Sequence, residues 1–342
     1  MVNRQLFLKI AKGLGAFALA RRFTRRSLRI LCYHGLSLDD EEQFQPKLFM
    51  RIDTFRSRMR YLAENGYAVL PLREALDRLN DGTLPDRAVV ITFDDGWRGI
   101  GTLAVPVLEQ HRFPATIYVT TRDVVDEAPV FNVAIRYLLW KSRVRMLDLG
   151  SSGLGGDEYD LSSPAGRNRA LEYLGELADA TDAEGRTRIL STVAGLLGLD
   201  WSHLERLGMF RLMTTKELTG IARRGVDLQL HTHDHLFGSM DRAFVERTVI
   251  RNREVLTPVT GRPVEHFCFP SGEYSPEQLP WLASLGVVSA TSCAAGFVTA
   301  ATPRLELGRF LDGENIDDLD FEAELSGFLE VMRRLRARVK HG

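Results

Sequence analysis

This sequence predicts an α/β fold built on a mostly parallel sheet, and two observations carry that expectation. From residue 28 onward, short β-branched runs alternate with amphipathic helical stretches. The residues best suited to chemistry fall directly after those runs, where parallel folds build their sites. The alternation alone leaves two closures open, a barrel or an open doubly wound sheet.

The strand candidates in order are Leu28–Tyr33, Ala68–Leu70, Ala88–Phe93, Ala115–Thr120, Val226–Leu230, His266–Phe269, Val287–Ala290 and Leu305–Phe310. Helix-like segments lie between them at 53–64, 72–80, 99–111, 215–224, 241–256 and 276–284. Asp53 and Ser275 suit N-caps, while Gly66, Gly225 and Gly286 follow last turns. Residues 122–213 break the rhythm with helical pieces at 131–141, 168–180, 184–197 and 202–207 around a Gly/Ser-rich link, Leu149–Gly156. We read them as a helical insertion into a body made of 28–121 and 214–342, preceded by a basic amphipathic arm at 1–27.

Hydrophobic residues are 44% and charged residues 26% of the 342, enough to bury a substantial core. The net charge of −1 is unevenly spread: residues 1–38 carry eight Lys/Arg and no Asp or Glu, leaving the rest at −9. That distribution fits a basic arm facing an anionic surface and not a nucleic-acid-binding body. Cys32, Cys268 and Cys293 are widely spaced with no CxxC pattern, as reduced buried thiols would be.

The first chemical signal is Val89-Val90-Ile91-Thr92-Phe93-Asp94-Asp95-Gly96, an apolar strand running into two carboxylates. A turn at Gly96 would let both face one cavity, although Asp-Asp-Gly also suits a solvated turn. The second is His231-Thr232-His233-Asp234-His235, again at the end of a strand, where one helical turn would bring His231 and His235 together. A polar surface turn is the plainer alternative. Two clusters at strand ends support each other, and a carboxylate with two imidazoles leaves open positions, as catalytic metal sites do. The third, Phe269-Pro270-Ser271-Gly272, is a turn able to aim backbone N–H groups into a site.

Thr92–Gly96, then His231-Thr232-x-x-His235, then Phe269–Gly272 resemble, in this order, the first three motifs of the polysaccharide deacetylase family, carbohydrate esterase family four. Leu31-Cys32-Tyr33-His34-Gly35 resembles the opening of many bacterial members. The resemblance spans about 28–121 and 214–311. It implies a distorted (β/α)7 barrel and hydrolysis of N- or O-acetyl groups, N-acetyl above all, on an acetylated glycan or amino sugar. It also implies that Asp95, His231 and His235 bind a divalent metal ion, Zn²⁺ first, with Co²⁺, Ni²⁺ or Mn²⁺ as alternatives. Asp94 would be the general base, and the Ser271 backbone N–H would help hold the oxyanion.

The third motif of the family usually reads Arg-x-Pro-Tyr-Gly, and here Phe and Ser are taken to replace Arg and Tyr. Arg309, ending the last strand, is the candidate to orient the base in the missing arginine's place, or else a plain surface residue. The usual Leu-x-His is absent, so the general acid is open. His34 ends the first strand and either reaches the site or is a satisfied core histidine. His266 begins its strand and should point to the opposite end. A glycan-binding pseudoenzyme on the same fold is the alternative reading, to which Asp94 would be of no use.

Written as one helix, residues 4–20 align Leu6, Ile10, Leu14 and Phe17, with Phe7 beside them and Lys9 and Lys12 opposite. We expect peripheral membrane contact through residues 4–29 on the cytoplasmic side, at the inner membrane. The alternatives are packing on the barrel's outside, and secretion after cleavage near Ala20.

Overall fold

In the computed structural model, residues 4–341 are described, with side chains through Arg336. The described strands are β1 (Arg29–Tyr33), β2 (Gly35–Leu36), β3 (Phe49–Met50), β4 (Ala68–Val69), β5 (Ala88–Phe93), β6 (Thr116–Val119), β7 (Met146–Asp148), β8 (Glu158–Asp160), β9 (Asp227–Leu230), β10 (His266–Cys268), β11 (Ser289–Thr291) and β12 (Phe310–Leu311). The main sheet runs β11-β10-β9-β6-β5-β1-β12, with β4 beside β5, and all its pairings are parallel. It curves into a half-barrel wrapped by helices. Burial explains the layering: β1 and β5 are buried at every residue, which requires cover on both faces.

Parallel register sets the site. Tyr33 stands opposite Phe93, so the next residues, His34 and Asp94, emerge side by side. Leu230 stands opposite Phe267, which brings His231 beside Cys268. The C-terminal ends of β1, β5, β9 and β10 therefore converge on one edge.

Most expected helices appear within a few residues of their sequence limits, with instructive exceptions. Asp53 is not an N-cap: the helix begins at Ile52 with Arg51 extended before it and no side-chain cap. Ser275 does cap, in a capping box with Gln278. Segment 99–111 splits into a π-turn, Ile100–Ala104, and a helix, Val105–His111, because Pro106 has no N–H to continue the ladder. The last strand is not Leu305–Phe310. Leu307 bridges to Thr291, whereas only Phe310 and Leu311 pair with β1, so this segment crosses from one sheet edge to the other.

Residues 122–213 hold helices Arg122–Val125, Phe131–Lys141, Pro164–Asp179, Ala183–Leu196 and Trp201–Leu207. The Gly/Ser-rich link is the loop of an antiparallel hairpin, β7–β8, that the sequence did not suggest. Ser163, Asp182 and Asp200 cap three of these helices through side-chain oxygens.

The arm forms two helices, α1 (Arg4–Gly13) and α2 (Ala16–Phe23), with Gly15 between them at φ 79°. The single stripe therefore divides. Phe17 is buried with Leu8, Ala11 and Ala20 against Ala323 and Phe328, whereas Leu6, Ile10 and Leu14 are exposed. Among the described residues, no helix is long and apolar enough to cross a membrane.

Candidate active site

The strand β5 ends at Phe93, and the chain turns through Asp95 (φ 69°) and Gly96 (φ 94°). A non-glycine residue at positive φ is strained and persists where its surroundings fix it. Here the turn sends adjacent carboxylates in different directions. A side chain on Gly96 would also press on Val119, 3.2 Å from its Cγ1.

Asp95 faces the histidines. Its Oδ1 lies 3.3 Å from His231 Nε2 and 3.3 Å from His235 Nε2. The three donor atoms all fall within 4.8 Å of one another. The histidines do not meet through a helical turn, because Thr232 (φ 64°) and His235 (φ 56°) are left-handed in an irregular loop. His231 is buried and His235 is 43% exposed, so the cluster opens to solvent on one side.

Neighbouring groups fix Asp95 and His231. Trp97 Nε1 donates to Asp95 Oδ2 at 2.7 Å. His231 Nδ1 sits 2.9 Å from the Cys268 carbonyl oxygen, which as a pure acceptor needs a proton on Nδ1 and leaves Nε2 for the cluster. The His231 backbone N–H donates to Asn252 Oδ1, and Asn252 Nδ2 donates to Val119 O and Thr121 Oγ1. Burial opposes an ionised Asp95, yet hydrogen bonds from His231 and His235 hold it well below the usual carboxylate range. Burial likewise opposes a charged His231, and the Asp95 hydrogen bond and nearby carboxylates push its pKa up. A site that draws positive charge to this degree, with two ring nitrogens and one carboxylate converging, fits a divalent cation.

Asp94 sits beside the cluster, with a carboxylate oxygen, a His231 ring nitrogen and Cys268 Sγ all within 4.8 Å of one another. Arg309 grips Asp94 with Nη1 on Oδ1 and Nη2 on Oδ2, both at 2.7 Å. Arg309 is 0% exposed and is fixed in turn by Ser292 O at 3.1 Å. Burial works against the Asp94 charge, but Arg309 outweighs it, and the carboxyl stays well below its usual range. The surface-arginine alternative is thereby excluded.

His34 Nε2 lies 3.8 Å from Asp94 Oδ2, and the side chain is 19% exposed. Its buried Nδ1 has no hydrogen-bond partner among the described residues, so it is not a satisfied core histidine. Ser271 lies in the turn after β10 at φ 57° and is exposed, with no side-chain hydrogen bond among the described residues. His266 is buried at the start of β10, its Nδ1 2.8 Å from Ser289 Oγ, and burial pushes it down to about 4. It has no part in the site.

One substitution in the third motif needs correcting. The position two before Pro270 belongs to Cys268, so a cysteine and not a phenylalanine takes the arginine's place. Cys268 Sγ sits 3.5 Å from Asp94 Oδ2 and 3.1 Å from Arg309 Nη2. The small thiol leaves room for a guanidinium arriving from a different segment. Trp97 and Asn252 were not singled out from the sequence, and Cys268 was read there only as a buried thiol. Trp97, two residues past Asp95, carried a usable signal, and Asn252, a polar residue on the buried face of helix Arg242–Thr260, carried another.

Both ends of the insertion meet the site loops. The Arg122 N–H donates to His233 O, and the Met213 N–H donates to Gly96 O.

A parallel half-barrel with a carboxylate–bis-imidazole cluster and a clamped second carboxylate at its strand ends defines the class. The family described as polysaccharide deacetylase matches residues 81–151 and 198–290 of the chain. A poly-beta-1,6-N-acetyl-D-glucosamine N-deacetylase of Escherichia coli (strain K12) is 32% identical over 80 residues, 23% of this chain and 12% of that protein. The chain thus matches only about an eighth of that relative's length. The Streptococcus pyogenes deacetylase PplD, solved with acetate, shares the fold with a TM-score of 0.59 and 17% identity over 88% of this chain and 99% of that one. IcaB from Ammonifex degensii does so with a TM-score of 0.55 and 18% identity over 88% and 97%.

Proposed function

We propose that this chain is a metal-dependent hydrolase that removes acetyl groups from an amino-sugar-containing glycan, with the N-acetyl amide as the bond cleaved. The observation that carries the reading is Asp94 clamped ionised by Arg309 directly beside the Asp95–His231–His235 cluster. A module that only binds glycans has no use for such a base. The Escherichia coli relative is an N-deacetylase, which supports an amide over an ester.

Asp95, His231 and His235 would hold the cation, Zn²⁺ by donor type, and when bound it supplies a Lewis acid for the acetyl carbonyl and a more acidic water. Asp94 takes the proton of the attacking water, and Arg309 keeps that carboxylate charged and aimed between turnovers. The Ser271 backbone N–H steadies the developing oxyanion. His34, beside Asp94 and open to solvent, returns a proton to the leaving amine. Segment 122–213 borders the cleft through its contacts with the His233 and Gly96 loops and limits which glycans enter.

The test is acetate release from N-acetylated and O-acetylated oligosaccharides, before and after chelation and with Zn²⁺ restored. Release that survives complete chelation would overturn the metal assignment, and release from esters alone would overturn the amide.

A further inference from the structure

The arm's buried face is already satisfied, and its other face is not. Leu8, Ala11, Phe17 and Ala20 pack on the body, so α1 and α2 belong to the folded protein. Leu6, Phe7, Ile10, Leu14, Leu19 and Phe23 remain exposed, Leu14 at 82% and Phe23 at 73%. They are six of the fourteen exposed large hydrophobics among the described residues, gathered in 18 consecutive positions. Scattered apolar side chains need no explanation, but a contiguous set does. The spacing makes it contiguous: Leu6, Ile10 and Leu14 lie four apart, as do Leu19 and Phe23.

Charge identifies the occupant. Arg4 pairs with Asp320, Lys12 and Arg21 reach Glu322, and Arg29 is buried. Lys9, Arg22, Arg25 and Arg26 stay exposed with no carboxylate partner among the described residues. An apolar ridge bordered by unpaired cations, in a stretch without one acidic residue, complements an anionic lipid surface. Two copies meeting through this face would oppose like charges. We propose that α1 and α2 dock the protein on an anionic bilayer, with Leu14 and Phe23 entering the headgroup–acyl boundary.

The fold then orients the site. The Arg87 N–H, just before β5, donates to Arg25 O, which puts the arm at the N-terminal end of the sheet. Asp94 and Asp95 lie at the other end of β5, about 20 Å away at about 3.3 Å per residue. A docked molecule holds its cleft away from the lipid, toward glycan extending from the surface and not toward a sugar joined directly to it. This orientation rests on the proposed function, whereas the docking does not.

The experiment is co-sedimentation of the full chain with phosphatidylcholine vesicles, with and without phosphatidylglycerol, at low and high salt. The wild type should pellet with phosphatidylglycerol vesicles and be released by salt. Arg22→Gln/Arg25→Gln/Arg26→Gln should lose on the order of 10²-fold in affinity, roughly fivefold per cation. Leu14→Ser/Phe23→Ser should fail to bind. Both variants should keep the wild-type circular dichroism spectrum, and any acetate release from soluble substrate should be unchanged. Absence of wild-type binding, or binding that both variants retain, overturns the proposal. A solution dimer abolished by Leu14→Ser/Phe23→Ser, without vesicle binding, would assign the face to a second copy instead.

Discussion

Replacing Arg309 with methionine tests the paired carboxylate most directly, because the substitution keeps much of the volume and removes the charge. Both partners are out of solvent, with side-chain exposures of 0% for Arg309 and 3% for Asp94, so screening is minor. After the change Asp94 keeps two thiols at 3.5 Å and His34 at 3.8 Å, none of them a match for a bidentate guanidinium. Breaking a buried pair from one side costs about 3–5 kcal/mol, and that is the expected loss in urea unfolding near neutral pH. The paired Asp94 has a lowered folded pKa, so its contribution is present above the unfolded value of about 3.9 and is lost as pH falls through the folded one. In Arg309→Met burial dominates and the folded pKa rises, so the variant's deficit should be largest at neutral pH and shrink toward pH 4. The acid limb of activity should move upward for the same reason. Adding Asp94→Asn removes the stranded charge, and the double variant should recover at least about 2 kcal/mol relative to the sum of the single losses. Additivity within about 0.5 kcal/mol, or a deficit independent of pH, would refute the coupling and with it Arg309's role.

His231→Ala, His235→Ala and Asp95→Ala should each abolish stoichiometric Zn²⁺ binding in equilibrium dialysis while far-ultraviolet circular dichroism is kept; full occupancy in all three would remove the ligand assignment. Asp94→Asn should bind Zn²⁺ normally yet lose about 10²–10⁴-fold in kcat, and a near-normal rate would send the proton elsewhere. Trp97→Phe deletes the 2.7 Å hydrogen bond to Asp95 Oδ2 and should weaken metal affinity about 10–100-fold, measured by competition with a chromophoric chelator. An unchanged affinity would reduce Trp97 to packing.

What the sequence could reveal depended on the range of the interactions involved. The short, apolar strands, such as Ala88–Phe93, were legible because burial on both faces writes itself into every residue. Asp95, His231 and His235 were legible because their loops start at the ends of such strands. The last strand was misplaced because its pairing changes partner at Leu307–Phe310, a property of the sheet's two edges and of no local pattern. The arm was legible as amphipathic but not in its division, since only the packing of Phe17 on Phe328 decides which apolar residues turn inward.

The Asp94–Arg309 pair shows how far such reasoning reaches. A motif with its arginine missing asks for a cation to stabilise a buried carboxylate, since an isolated buried charge is too costly to persist. That demand is physical and could be read from Asp94 alone; the supplier could not, because 215 residues separate the partners. Two local facts make the exchange workable. Cys268 is small enough to leave the space beside Asp94 free, and the crossing segment from Leu307 to Phe310 brings Arg309 to that space between β11 and β1. The thiol and the distant arginine are then one adaptation. Cys268→Arg in the Arg309→Met background should restore both stability and the acid limb of activity, whereas Cys268→Arg alone should destabilise the protein by placing two buried guanidinium groups on one carboxylate. Rescue by neither measure would mean that the two positions are independent.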